Sequence, residues 1–89
     1  MRKKSLDNFI IPDTCKPGDR SMDVERLQKC LDHIFNLKGK KKLESIEPAY
    51  FGLATRFYIK KFQYNNGISE TEELDHLTRT LIREAIECR

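Results

Sequence analysis

Four residues carry side chains that bind zinc in proteins. Cys30 and His33 lie three positions apart, so they would share one face of a helix, and His76 and Cys88 are further possible ligands. Structural zinc sites usually take their ligands from two closely spaced pairs. The chain has no second close pair. We therefore expect Cys30 to be buried, both histidines to be exposed and no residue to act as a metal ligand.

Catalytic chemistry has as little support in the sequence. A nucleophilic Ser, Cys or Thr needs a base within hydrogen-bond reach, and the chain has two histidines and no recognisable nucleophile context. Its 89 residues are the length of one domain and leave no room for a large enzyme with its own deep pocket. We therefore expect no catalytic residue, no cofactor and no enzymatic activity.

Binding at a shallow surface groove fits the available side chains better. Aromatic rings cover the apolar faces of sugars, while amides and hydroxyls satisfy the polar groups of sugars or peptides. In an alternative interpretation, Tyr64 is partly buried, and Asn65 and Asn66 only end a helix. The candidate ligand-binding residues are Tyr50, Arg56, Tyr64, Asn65 and Asn66.

Composition and charge narrow the class of partner. Hydrophobic residues make up 38% of the chain, and 17 Lys and Arg face 14 Asp and Glu, for a net charge of +3. Nucleic-acid binders usually have a clustered basic face and a pI above the 8.8 of this chain. The basic residues at 38–42 are expected to form a solvated loop, which leaves nucleic acid as the weakest partner class.

Export and membrane insertion have few sequence signals. No stretch approaches the roughly 20 apolar residues of a membrane helix. Residues 1–4 are charged like the start of a signal peptide, but Ser5, Asp7 and Asn8 interrupt any apolar region behind them. The three cysteines are an odd number, which excludes a dense disulfide framework. These signals therefore predict no particular cellular compartment for the protein.

Hydrophobic periodicity predicts an all-α domain at 16–89 behind an extended N-terminal arm at 1–15. A turn at 17–19 follows the arm. The first helix is predicted at 22–37, because Ser21 is a good N-cap and Gly39 would close it. Pro48 argues against a helix through the connection that follows, although Leu43 and Ile46 allow a short helical turn there.

The second and third helices share a similar entry. The second is predicted at 53–65 and stops at Asn66-Gly67. The third begins either after the capping box at 69–72 or after Asp75, and we favour the later start. The three helices are expected to share a core made of Val24, Leu27, Leu31, Ile34, Phe51, Ile59, Phe62, Ile68, Leu74, Leu81 and Ile82.

An internal repeat links the entries to these two helices. Residues 51–55 (FGLAT) and 74–78 (LDHLT) each hold an apolar residue, a turn or cap residue, two spacers and a Thr. The offset is 23 positions (74 − 51), and it continues by pairing Tyr58 with Leu81 and Ile59 with Ile82. Each copy therefore predicts an apolar anchor before its helix and a small hydroxyl residue in the first turn.

The ordered motifs resemble the peptidoglycan-binding-domain-like family over about residues 16–86. They are DVxxLQxxL at 23–31, FGxAT at 51–55, IxxFQ at 59–63, NGI at 66–68 and LDxxTxxL at 74–81. The family is a small three-helix module, usually attached to cell-wall hydrolases or other envelope proteins. The resemblance implies a non-catalytic module that binds bacterial cell-wall peptidoglycan or targets a partner to it. Gln28 and Gln63 are expected to hydrogen-bond to loop backbone rather than to a ligand.

The chain departs from the family pattern at three places. The family often has Asp-Gly shortly before the Phe-Gly, where this chain has Pro48-Ala49. It often has a Gly in the second turn, where this chain has Glu72-Glu73. The connection at 38–47 is longer than usual. These departures motivate an alternative, in which the chain is a protein-interaction or inhibitory domain that has lost wall binding.

The same fold occurs as the propeptide of matrix metalloproteases. There a Cys shortly after the third helix caps the zinc of the protease, and Cys88 lies near the corresponding place. The Pro-Arg-Cys-Gly motif that surrounds the propeptide Cys is absent. The resemblance thus extends to a protein partner as an alternative ligand, without a predicted zinc switch.

Overall fold

The computed structural model describes residues 11–87, and within them the chain is helical with no strand. The predicted all-α class is confirmed. Three long helices are present as expected, and a 3-10 turn at Gly39–Lys41 and one short helix occupy the connection between the first two. The α-helices are α1 at Met22–Ile34, α2 at Leu43–Ile46, α3 at Leu53–Asn65 and α4 at His76–Glu87.

Helix α1 begins where predicted and ends three residues early. The Ser21 hydroxyl oxygen lies 3.4 Å from the backbone nitrogen of the third helical residue, which it caps. At the other end Asn36 takes the left-handed conformation (φ 56°), and the Leu37 N–H donates to the carbonyl of Asp32 at 2.8 Å. The prediction that Gly39 closes the helix is wrong, because Asn36 supplies the left-handed residue first.

Helix α3 confirms both of its predicted ends, and α4 confirms its predicted start. The bounds of α3 are those predicted, and Gly67 after it is left-handed (φ 68°), so that the Ile68 N–H reaches the carbonyl of Gln63 at 3.1 Å. Asp75 caps α4, because its Oδ1 accepts the Thr78 N–H at 2.9 Å. Of the two starts predicted for this helix, the later one is confirmed.

The core lies where the long helices meet the chain that precedes α3 and α4. Ile34 and Leu81 are only partly buried and pack against it, and Ile68 is half-buried. Cys30 is buried as predicted, whereas Cys15, Leu43 and Ile86 are core residues that the predicted core set left out. The predicted core residues that are buried are Val24, Leu27, Leu31, Phe51, Ile59, Phe62, Leu74 and Ile82.

The segment before α1 hydrogen-bonds to the residues that lead into α3 and α4. The backbones of Cys15 and Leu74 exchange two hydrogen bonds in an isolated antiparallel bridge. After the predicted turn at 17–19, Phe51 accepts from the Gly18 N–H and donates to the carbonyl of Asp19, both at 2.9 Å. This segment therefore fixes both apolar anchors of the repeat. Residues 1–10 of the predicted arm lie outside the described residues.

A buried glutamine on α1 fixes the loop before α3. Gln28 is fully buried, and its Nε2 lies 2.7 Å from the Glu47 carbonyl, 3.0 Å from the Tyr50 carbonyl and 3.0 Å from Thr55 Oγ1. Its Oε1 accepts the Ala49 N–H at 3.0 Å. One side-chain amide thus satisfies backbone groups on both sides of a tight turn.

A second buried glutamine repeats this arrangement between α3 and α4. The Nε2 of Gln63 lies 3.1 Å from the Glu73 carbonyl and 2.9 Å from Thr78 Oγ1, and its Oε1 accepts the Glu72 N–H at 3.0 Å. A third acceptor, Thr71 Oγ1, is 3.0 Å away. The expectation that both glutamines bond to loop backbone is confirmed. We call these two sets of hydrogen bonds the glutamine clamps.

Each clamp holds one residue in a left-handed conformation. Ala49 has φ 58° and Glu72 has φ 66°, and these are the two residues whose N–H groups donate to the clamp oxygens. A side chain at positive φ costs about 1–2 kcal/mol, because its Cβ approaches the following carbonyl. The clamps therefore impose a backbone shape that the residue types themselves do not favour.

Removal of one clamp should destabilise the whole domain. Gln28→Ala leaves the Ala49 N–H without its acceptor, removes one of the two donors to each of the Glu47 and Tyr50 carbonyls, and opens a cavity in the core. We expect the free energy of unfolding to fall by about 3 kcal/mol. Urea denaturation followed by circular dichroism measures this. Lys29→Ala, at the exposed neighbouring position, is the control and should change stability by less than about 0.5 kcal/mol. Equal effects for the two variants would contradict the clamp's role.

Relief of the left-handed strain should stabilise the domain. Ala49→Gly removes the Cβ penalty, which exceeds the extra freedom that glycine gives the unfolded chain, so we expect a gain of about 0.5 kcal/mol. Ala85→Gly, inside α4, should instead cost about 1 kcal/mol. Thermal unfolding of both variants compares them. A loss at position 49 as large as that at position 85 would contradict this explanation.

Candidate functional site

Helix α3 buries one side and leaves a row of apolar side chains on the other. Thr55 and Ile59 are fully buried on its inner side, whereas Leu53, Phe57 and Tyr64 are 78%, 56% and 70% exposed. The three exposed residues are spaced by 4 and 7 positions, so they line one stripe about 16 Å long. Large side chains this exposed in a row on a monomer mark a candidate binding surface. We call the three residues the α3 ridge.

Cations flank the α3 ridge. Lys60 and Lys61 are both exposed, and Lys61 Nζ lies 5.9 Å from the centre of the Phe57 ring. A cation at this distance is attracted to the ring face. Lys60 Nζ lies 3.7 Å from a Glu72 carboxylate oxygen, so it is partly neutralised. The ridge therefore presents apolar surface with positive charge beside it.

An aromatic row fixes the centre of the α3 ridge. The ring centres of Phe57 and Tyr58 are 5.0 Å apart in an edge-to-face arrangement, and those of Tyr58 and Phe35 are 5.1 Å apart. Phe35 and Tyr58 are half-buried and pack against the core. Edge-to-face pairs favour one relative orientation of the rings. The exposed Phe57 ring is thus held by contacts that continue into the domain.

The structure spreads the predicted ligand-binding residues along α3. Tyr50 lies before the helix and carries the Arg20 guanidinium 4.6 Å above its ring, while Tyr64 lies in the last turn. Asn65 is exposed, and Asn66 donates its side-chain N–H to the carbonyl of Phe62 at 2.8 Å. Tyr64 is exposed on the α3 ridge, whereas Asn66 ends the helix. Tyr50 and Tyr64 stand at opposite ends of α3.

Arg56, the fifth predicted residue, is engaged within the domain. Its Nε donates to Glu72 Oε1, and the Arg56 guanidinium, together with Lys60, holds the pKa of the Glu72 carboxyl below its ordinary value. Glu72 is the left-handed residue of the second clamp. Arg56 therefore links α3 to that clamp, and a ligand would have to compete with Glu72 for it.

The N-terminus of α3 is capped by a residue from an earlier loop. Gly52 occupies the N-cap position and has no side chain with which to cap, so the Glu47 carboxylate accepts the N–H groups of Gly52, Ala54 and Thr55. A Cβ on Gly52 would lie 2.5 Å from Glu47 Oε2. Position 52 is therefore glycine because the capping carboxylate occupies the space of a side chain.

Two of the thiols are poorly suited to chemistry. Burial raises the pKa of Cys15 to about 12, with Asp19, Asp23 and Asp13 adding to the effect. Burial alone raises the pKa of Cys30 to about 12. Both thiols stay protonated at neutral pH, and the thiolate is the reactive form. Residues 11–87 hold no group of three His, Cys, Asp or Glu that could bind a metal ion. Cys88 lies outside the described residues.

Two of the three α3-ridge residues were not predicted from the sequence. Leu53, Phe57, Lys60 and Lys61 were not among the candidates, although Leu53, Phe57 and Tyr64 recur at helical spacing. That second apolar stripe was the available signal. The helix also has a buried apolar stripe, and apolar residues at helical spacing are normally assigned to a core, so the second stripe was not predicted to be exposed.

Comparison with known proteins returns no match for this chain among protein-family models, curated proteins or solved structures. In the described part of the chain, no helix has the length and apolar content needed to span a membrane.

The capping carboxylate should make stability depend on acid. Burial raises the pKa of Glu47, but the N–H groups of Ala54, Thr55 and Gly52 and the Thr55 hydroxyl outweigh it and hold the pKa below its ordinary value. A lowered pKa contributes stability that is present above the unfolded value of 4.5 and is lost as the pH falls through the folded value. Glu47→Gln should cost about 1–3 kcal/mol at pH 7.

The pH dependence of unfolding checks this assignment. The difference between Glu47→Gln and the parent chain should begin to shrink as the pH falls below 4.5, where the unfolded chain takes up the proton, and should be smallest below the lowered pKa of the folded chain. Glu70→Gln changes an exposed carboxyl and should leave stability unchanged at every pH. A difference between Glu47→Gln and the parent that stays constant down to pH 2 would show that the carboxylate charge has no part in capping.

Proposed function

We propose that this chain is a non-catalytic binding module that recognises bacterial cell-wall peptidoglycan through the α3 ridge. The observation that carries the proposal is the exposure of Phe57 and Tyr64 on one stripe, with Lys61 beside them. Aromatic rings cover apolar sugar faces, and cations attract the carboxylates of an acidic polymer. The proposed site thus offers both kinds of contact on one helix.

The left-handed residues support the family assignment within this proposal. Ala49 and Glu72 stand where the resembled family often has glycine, and both have positive φ. Glycine adopts such a conformation without penalty. The departures from the family pattern therefore change the residue types at these two positions while the backbone keeps a shape that suits glycine.

The connection at 38–47, which is longer than is usual in the family, is also compatible with the family fold. Gln28 bonds to Ala49 across 21 positions, and Gln63 bonds to Glu72 across 9, although the two clamps have the same geometry. The extra residues form the 3-10 turn and α2, which lie outside the clamp. An insertion at this place therefore leaves the clamp and α3 in position.

Retention on purified, insoluble peptidoglycan tests wall binding. The parent chain should sediment with the wall at low salt, and Tyr64→Ala and Phe57→Ala should each reduce retention by about tenfold, as expected for the loss of one stacked ring. Leu77→Ala removes an exposed apolar side chain from α4 and serves as the control. No retention of the folded parent chain would end the proposal.

A protein partner is the second candidate function. Leu53 is the most exposed large hydrophobic residue of the described chain, at 78%, and an aliphatic side chain adds little to sugar stacking. Together with Phe57 and the neighbouring lysines it would suit an apolar surface rimmed by acidic residues. Affinity capture from a host lysate would then return one protein in stoichiometric amount, and Leu53→Ser would abolish the capture. Retention of wall fragments alone would reject this candidate.

A further inference from the structure

A cavity lies at the C-terminal end of α1, away from the α3 ridge. Its volume is about 660 Å³, and its walls come from α1, the chain after it, the 3-10 turn and α2. Five of its lining residues carry charge at neutral pH: Lys29, Asp32, Lys38, Lys42 and Glu44. The insertion in the first connection therefore builds a concave surface from its own 3-10 turn and α2, and it is larger than the pocket of about 270 Å³ that residues 73–76 line with the segment before α1.

The buried wall of this cavity holds a carboxylate with a free acceptor. Asp32 is 5% exposed, and its Oδ1 accepts the Leu43 N–H at 2.7 Å, which caps α2. Its Oδ2 is buried and has no hydrogen-bond partner within residues 11–87. Burial raises the pKa of Asp32 and the Glu44 carboxylate adds to this, while the backbone N–H groups of Leu43 and Glu44 and the charge of Lys42 act in the opposite direction.

Capping alone does not require a carboxylate at position 32. The amide oxygen of an asparagine would accept the Leu43 N–H equally well and would carry no buried charge. A buried polar atom without a partner is rare in folded proteins and costs free energy unless a ligand or water satisfies it. The second oxygen of Asp32 therefore lacks a donor, and because it lies beneath the cavity surface, a ligand must displace neighbouring wall atoms to reach it.

The rim of the cavity has the opposite charge. Lys29 is paired with Glu44, with 3.9 Å between Nζ and Oε1. Lys38 and Lys42 are exposed and form no ion pair with the described residues. The cavity thus combines a buried carboxylate, on whose charge Lys42 already acts, with a second cation, Lys38, that forms no ion pair with the described residues. A ligand with only a negative charge would be repelled by Asp32, and a ligand with only a positive charge would be repelled by the lysines.

We propose that this cavity binds a small zwitterion of the amino-acid type. The ligand's ammonium group donates to Asp32 Oδ2, and its carboxylate faces Lys38 and Lys42. A molecule with both charges satisfies the free oxygen and the two lysines at once, which neither half can do alone. The proposal is independent of wall binding by α3, because the two sites share no residue.

Three probes of similar size separate the two charges. Alanine carries both, ethylamine only the cation and propionate only the anion. The Leu43 backbone amide of the ¹⁵N-labelled chain reports on the site, because it donates to Asp32. Alanine should shift this resonance saturably in the millimolar range, and the other two probes should bind about tenfold more weakly or worse.

Variants assign the roles of the two sides. Asp32→Asn keeps the oxygen that caps α2, so the domain should stay folded, and it should bind alanine no better than propionate. Lys38→Gln combined with Lys42→Gln should weaken the binding of alanine about tenfold and should not weaken that of ethylamine, whose ammonium group the two lysines repel. Lys60→Gln, on α3, is the control and should bind like the parent chain.

Each contrary outcome overturns the proposal. If no probe shifts the Leu43 amide saturably, the cavity is not a site for this class of ligand. If propionate binds the parent chain as tightly as alanine does, the lysines alone attract anions. If folded Asp32→Asn keeps the preference for alanine, the buried carboxylate has no part in recognition.

Discussion

The fold depends on two side-chain amides that replace backbone partners in the loops. A tight turn buried against a helix carries N–H and C=O groups that neither a strand nor a helix can satisfy, and such groups must be paired. Glutamine is suited to this task because its amide both donates and accepts, as a peptide group does. Gln28 and Gln63 each hold the turn that leads into the next long helix. Their amides therefore set the direction in which α3 and α4 leave their loops.

The two clamps reach the same geometry with different residues. In the second, Asp75 caps α4 from its own N-cap position. In the first that position is Gly52, and Glu47 caps α3 from the preceding loop. Gly52 and the Glu47 carboxylate depend on each other, because a side chain at position 52 would collide with the capping carboxylate. The repeat is thus conserved in its hydrogen bonds more closely than in its residue types.

With its entry fixed in this way, α3 needs only one side for the core. Its other side is free to present Leu53, Phe57 and Tyr64, and the Phe57–Tyr58–Phe35 row supports that side from within. A rigid exposed face loses little conformational entropy when it binds. The first connection adds a second surface, since its α2 helix rests on Asp32 and encloses the cavity. The two proposed binding surfaces are therefore consequences of the same loops that the clamps organise.

The sequence by itself determined the class of fold and most of the helix ends, the exception being the C-terminal end of α1. Apolar spacing gave the three long helices, and Ser21, Asp75 and Asn66-Gly67 marked ends that depend on local hydrogen bonds. These features were predictable because they involve residues within a few positions of one another. The resemblance to a family of wall-binding modules also came from the sequence, and it stays a prediction.

The tertiary structure alone decided which polar residues are buried and which apolar residues are not. Glu47 caps a helix to which it does not belong, and Asp32 caps α2 from α1. The bonding of Gln28 to loop backbone was expected from the sequence, but the turn that it reaches, about 20 positions away, was not. No local pattern encodes such contacts, because they require the chain to bring distant segments together. The exposure of the α3 ridge could not be predicted from the sequence for the same reason. Helical spacing shows that residues share a face, but only packing determines whether that face is covered.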